Sequence, residues 1–235
     1  MKSFENIFTE IAAIESKLGY CFNDKHLLAL AFVHRSYLNE HRQIIKQHNE
    51  RLEFLGDSVL GLLAAEYLYK YLPSTPEGEL SYLRSRLVES ASCVKYMQHL
   101  DLGHYILLGK GERMNDGRGR DSILADLFEA LIGAIFIDGG LEAAKKFLFK
   151  NFSGEIEEIL KKPLRNWKAM LQDFSQKKYQ QAPVYHVLSE EGPDHSKKFC
   201  ILVLINQKEV GRGEGSSKKE AQQAAAEDAL VKLGA

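Results

Sequence analysis

Cysteine is scarce in this 235-residue chain, and Cys21, Cys93 and Cys200 lie far apart with no CxxC pair. That excludes a disulfide-stapled miniprotein and reads as free thiols of a reducing compartment. Long hydrophobic runs are also missing: Ala130–Ile137 is far shorter than a bilayer span. The beginning carries Glu5 and Glu10 and lacks the basic-then-apolar pattern of a secretory signal. These absences argue against membrane and secreted classes, and the expected setting is cytoplasmic. Neither an internal repeat nor a low-complexity tract is present. With 45% hydrophobic and 27% charged residues the chain is no disordered polymer.

One-sided charge is absent too, since the net is −1, but the average hides an asymmetry. Residues 162–235 carry 12 basic and 9 acidic side chains, whereas residues 1–161 carry 19 and 23. An acidic front and a basic rear imply two parts with different partners, the rear suited to a polyanion and the front to a metal. The periodicity changes at the same place. Ile7, Ile11, Ile14 and Leu18 recur at helical spacing and stop at Gly19. Further helices are expected over His26–Phe32, Glu50–Tyr71, Glu79–His99, Ser122–Ile137 and Leu141–Phe152. The stretches around His34–His48 and Gly109–Arg120 read as loops. Beyond a break at Lys161–Pro163, Leu164–Lys178 is a predicted helix. Val184–Leu188, Phe199–Ile205 and Lys208–Gly213 are predicted strands, the last two joined by a turn at Asn206–Gln207. Ser217 then caps a helix through Leu233. The expected architecture is an all-α domain over residues 1–160 followed by a small α+β domain, ordered α-β-β-β-α, over residues 163–235.

The acidic residues carry the chemistry. Glu50, Glu53 and Asp57 share one face of a helix whose turns are otherwise apolar. Asp126 and Glu129 stand three apart on a second apolar helix. Any one of these acids could be a solvated helix position or pair with a cation such as Arg51. Taken together they exceed what two such apolar helices can leave in water. Gathered carboxylates repel unless a proton or cation relieves them. Hard oxygen donors suit Mg²⁺ or Mn²⁺ and phosphate chemistry. His34, His41 and His48 make no HExxH or HxxEH pattern, which argues against a zinc site. Cys21 and Cys93 lie in apolar surroundings and are expected in the core.

The run NERLEFLGDS (49–58), with SILADLFEALIGAIF (122–136), resembles the catalytic domain of bacterial ribonuclease III. The resemblance extends through His34-Arg35-Ser36 and Gly78-Glu79-Leu80-Ser81 and covers nearly the whole chain. It implies that Glu53, Asp57, Asp126 and Glu129 are the four active-site acids that bind divalent metal, Mg²⁺ with Mn²⁺ as substitute. It makes Glu129 the indispensable ligand and Asp57 its partner in catalysis. Glu50 falls on a position nearer the dimer interface and substrate than the metal. His34 orients the fold. The resemblance implies a homodimer that hydrolyses both strands of double-stranded RNA, in processing ribosomal and other structured precursor RNAs.

The basic rear segment has its own signature. Gly192-Pro193-Asp194-His195, Lys197-Lys198-Phe199 and the segment from Gly213 to Ala226 are similar to the double-stranded RNA-binding domain. A-form RNA is recognised through 2′-hydroxyls and phosphates rather than base edges. Lys218 and Lys219 open a helix, where the dipole already favours phosphate. The resemblance places Gln172 and His195 against successive minor grooves. Asp173 stands where the family usually has Glu. Two other classes remain open at this point: a non-catalytic RNA binder, and a metal-dependent phosphohydrolase for small substrates.

Overall fold

The computed structural model describes residues 4–114, 119–161, 167–191 and 197–234. The chain forms two compact units, Met1–Lys162 and Pro163–Ala235.

The first unit is helical: α1 (Phe4–Leu18), α2 (Lys25–Ala31), α3 (Arg35–Glu40), α4 (Glu50–Tyr71), α5 (Glu77–Val88), α6 (Ser90–Leu100), a 3₁₀ turn (Gly103–Tyr105), α7 (Lys110–Arg113) and α8 (Arg120–Lys161). Ile7, Ile11, Ile14 and Leu18 are the buried stripe of α1, and Gly19 ends it with φ of +63°. The start of α8 is the centre of the unit. Every residue from Ala130 to Ile135 is buried, and Phe128, Phe147, Phe152 and Tyr96 form an aromatic cluster around it. Gly140 interrupts α8 at φ +77°, so two helices meet there, as Asp138–Gly140 led us to expect. Asp138 secures the break: its carboxylate accepts from Tyr20 Oη (2.6 Å) and from the backbone N–H groups of Asn23 (2.9 Å) and Asp24 (2.8 Å).

Four expectations need correction here. The segment predicted as one helix over Glu79–His99 is two, because Glu89 is extended (φ −64°, ψ 152°). Ser92 Oγ donates to the Arg86 carbonyl (2.7 Å) and Arg86 pairs with Glu89 (3.1 Å), closing the corner locally. The His34–His48 stretch is not all loop. His34 caps α3, its ring nitrogen accepting from the Ser36 N–H (3.2 Å), and Tyr37 is buried. Within Gly109–Arg120, residues 110–113 are helical, pinned where Glu40 accepts from the Lys110 N–H (2.7 Å). Residues 115–118 lie outside the described residues. Cys21 is exposed; only Cys93 of the two is core.

The second unit comprises α9 (Trp167–Tyr179), β1 (Val184–Glu191), β2 (Lys198–Ile205), β3 (Lys208–Gly215) and α10 (Lys218–Leu233). The strands form an antiparallel sheet in chain order. On β2 the alternation Phe199, Ile201, Val203, Ile205 points inward onto Leu171 and the alanine face of α10, each large aliphatic contributing about 1.5–3 kcal/mol on burial. Gly211 and Gly213 let β3 approach the α10 backbone, where any side chain would collide. Asn206 and Gln207 both take positive φ, the geometry of a two-residue hairpin turn. The start of the predicted helix at Leu164 and the break at Lys162–Pro163 lie outside the described residues.

Candidate active site

α4 supplies Glu50, Glu53 and Asp57, and α8 supplies Asp126 and Glu129. The two helices touch backbone to backbone. A methyl group on Gly56 would overlap the Glu129 carbonyl, and one on Gly133 would overlap the Leu52 carbonyl. Only glycine at both places lets the acidic faces close.

Glu53, Asp126 and Glu129 each offer an oxygen within 4.8 Å of the others, and all three are half-buried. No lysine or arginine pairs with them among the described residues. Burial and mutual repulsion both favour the protonated acids. Burial, then the charges of Asp126, Glu50 and Asp57, pushes Glu53 up to about 7. Burial, then Asp57, Asp126 and Glu53, pushes Glu129 up to about 7. Asp126 is raised by burial and by Glu50, with His34 acting the other way. Such a set of oxygen donors lacks a positive charge of its own and fits a hard divalent cation.

Two expected members stand differently. Asp57 is exposed and outside the three-oxygen group, although its charge is felt by Glu53 and Glu129. Glu50 is exposed at the rim, 3.5 Å from Arg35 and 3.7 Å from His48, rather than beside Arg51. One neighbour was not foreseen. The buried Cys93 thiol lies 3.9 Å from Glu129 Oε1 and 3.7 Å from the Val88 carbonyl. Nothing in the sequence around Cys93 marks that approach, which depends on how α6 meets α8. Also unforeseen are large apolar side chains on α4 that the single chain does not cover: Phe54 is 78% and Leu62 55% exposed.

In the second unit Gln172 is exposed on α9, and Lys218 and Lys219 are exposed in the first turn of α10. Ser217 Oγ accepts from the Glu220 N–H (3.2 Å), and Glu220 accepts from the Ser216 N–H (3.0 Å), which orders the approach to the helix. Asp173 pairs with Lys177 one turn later (2.6 Å). His195 lies outside the described residues.

Known proteins share both halves. Residues 24–156 match the family model for ribonuclease-III-like domains, and residues 167–233 match the double-stranded RNA binding motif. A "Ribonuclease 3" of Protochlamydia amoebophila is 68% identical over 99% of this chain and 96% of the relative. Another, of Streptococcus uberis, is 45% identical over 99% of both. Among solved structures, the nuclease domain of ribonuclease III from Campylobacter jejuni matches with TM-score 0.56 and 40% identity, over 65% of this chain and 97% of that one. A second structure of that domain (TM-score 0.54, 42% identity, 61% and 99% covered) bears a title describing flexibility in a region involved in dimer formation.

Proposed function

The chain belongs to the ribonuclease III family, and from that premise we propose that Glu53, Asp126 and Glu129 hold Mg²⁺ for the hydrolysis of duplex RNA, with Asp57 completing the centre. The family matches make the chain a divalent-metal-dependent endoribonuclease with a double-stranded RNA-binding domain. The observation that carries the assignment to these residues is the convergence of three half-buried carboxylates from α4 and α8.

Held by Glu53, Asp126 and Glu129, Mg²⁺ would supply charge neutralisation at the phosphoryl oxygens and a more acidic attacking water. The protein residues do the rest. Glu129 and Asp126 on α8 share the donor set with Glu53 on α4, and the close approach of the two helices at Gly56 and Gly133 brings them together. Because Glu53 and Glu129 retain protons to about pH 7, loading the site displaces protons. Asp57, exposed at the edge of the cluster, holds the attacking water. Water attack breaks the bond from phosphorus to the 3′ oxygen, leaving a 5′-phosphate and a 3′-hydroxyl. Glu50, tied to Arg35 and His48, borders the substrate side. Mn²⁺ substitutes as another ion tolerant of oxygen ligands.

Gln172, His195, Lys218 and Lys219 are the proposed RNA contacts of the second unit. A homodimer, with Phe54 and Leu62 in its interface, gives each RNA strand one centre. Precursors of ribosomal and other structured RNAs are the proposed substrates. No described helix is long and apolar enough to cross a membrane, and the three free cysteines fit the reducing cytoplasm.

The test is cleavage of labelled duplex RNA by Glu129→Gln in Mg²⁺, beside the parent in Mg²⁺ and in EDTA. The amide keeps the shape and loses the charge, so cleavage should vanish while duplex binding stays within a few-fold. Near-parental turnover by Glu129→Gln would sink the metal assignment. Binding without cleavage by the parent would leave a non-catalytic RNA binder.

A further inference from the structure

The two oxygens of Glu190 are divided between two lysines from different elements. Oε1 accepts from Lys197 Nζ at 2.9 Å, just before β2, and Oε2 lies 3.6 Å from Lys218 Nζ, the first residue of α10. The arrangement is built by the fold. Glu190 is directly opposite Phe199 across the β1–β2 pair, so both side chains emerge on one face of the sheet. The Phe199 ring lies beneath Lys218, whose ammonium is 5.6 Å from the ring centre, a distance at which the ring quadrupole attracts the cation. Lys197 and Lys218 together hold the Glu190 carboxylate below its ordinary range.

The carboxylate has the charge and the paired oxygens of a phosphate edge, and it stands by the positive end of α10. We infer that Glu190 is a built-in competitor of RNA phosphate: it keeps Lys197 and Lys218 poised around the seat of one phosphate and is displaced when duplex RNA binds. This rests on the reading that Lys218 contacts RNA, and it adds Lys197 to that contact. The competitor must be weak to be displaced. All three side chains are partly exposed, with relative exposures of 34–59%, and exposed pairs of this kind are weak and screened by salt. A phosphate brings a full negative charge, releases counterions from the duplex and offers further acceptor oxygens. Glu190 thus lowers affinity for every duplex alike.

The experiment measures binding of a labelled RNA duplex to the full chain in EDTA, across a range of KCl, for the parent, Glu190→Gln, Glu191→Gln and the double change Lys197→Ala with Lys218→Ala. Glu191 is the neighbouring exposed acid at the end of β1, so its replacement changes net charge equally. Glu190→Gln should tighten binding by about three- to tenfold, the scale of one or two exposed ion pairs, and steepen the salt dependence by up to about one unit. Glu191→Gln should give less than half that gain. Placed in the lysine double mutant, Glu190→Gln should give no gain. Equal gains from Glu190→Gln and Glu191→Gln, or a gain that survives loss of both lysines, would show long-range repulsion and overturn the competitor. A weakened lysine mutant with an unresponsive Glu190→Gln overturns the role of Glu190 alone. Unchanged binding by the lysine mutant removes the RNA contact itself, and the inference with it.

Discussion

Glu129 shares a half-buried cluster with Asp126 and Glu53 and feels the charge of the exposed Asp57, with the Cys93 thiol as its hydrogen-bond neighbour, and burial first, then these charges, push it up to about 7. An acid whose folded pKa exceeds its unfolded value, ordinarily near 4.5, binds protons more tightly in the folded state. Its contribution favours the fold below the unfolded value and is withdrawn as pH rises through about 7. Glu53 behaves alike. The metal-free protein should therefore melt at a lower temperature at pH 8 than at pH 5.5, and Mg²⁺ should restore more stability at pH 8. Glu129→Gln should remove part of that penalty, raising metal-free stability at pH 8 by about 1 kcal/mol after discounting for solvent screening. Thermal unfolding in EDTA at the two pH values checks this; a parent as stable at pH 8 as at pH 5.5 contradicts it. The acids themselves were readable because carboxylates on apolar helix faces stand out by type and spacing. Cys93 was readable only as a buried residue, since its approach to Glu129 is a tertiary fact with no local pattern.

At the scale of elements, the site is an α4–α8 crossing, and Gly56 decides how close it is. Gly56→Ala places a methyl group on the carbonyl of Glu129. Overpacking of this kind should cost about 1–3 kcal/mol, and cleavage should fall further than stability because a metal-binding residue moves. Gly154→Ala, in α8 with open space around it, should instead stabilise by about 0.5–1 kcal/mol through helix propensity. Chemical denaturation and cleavage assays on both variants separate crossing geometry from propensity. A Gly56→Ala protein as stable and active as the parent would rule out the tight crossing. Such crossings are not legible from one sequence, whereas α4 was, its observed limits Glu50–Tyr71 matching the expected ones ahead of the Pro73 stop. The corner at Glu89 was missed for a physical reason: Glu89, Ser90 and Ser92 look like a solvated helix face, yet serines also favour helix starts. The α3 cap was missed similarly, because His34 uses its ring as the acceptor that Ser or Asp usually provides.

Charge is divided unevenly between the two folded units. Residues 1–161 contain all five acids of the site and a complete aromatic and aliphatic core, so that fragment should fold alone. It carries 19 basic and 23 acidic side chains and must approach a polyanion without the basic unit. Repulsion between like charges is screened over a Debye length of about 8 Å at physiological salt, but screening supplies no attraction. The fragment should need roughly ten- to hundredfold more RNA than the full chain for half-maximal cleavage, the scale of losing a few phosphate contacts. Its rate should fall less steeply with added KCl, because fewer counterions are released on binding, and raised Mg²⁺ or Mn²⁺ should recover part of the loss by filling the site and neutralising phosphates. The measurement is cleavage rate against RNA concentration for both proteins at several metal and salt levels, with circular dichroism to confirm the fragment's fold. A folded fragment with the full chain's RNA requirement would show that the second unit is not the anchor. A fragment as salt-sensitive as the full chain would place the dominant phosphate contacts on the helical unit, despite its net negative charge.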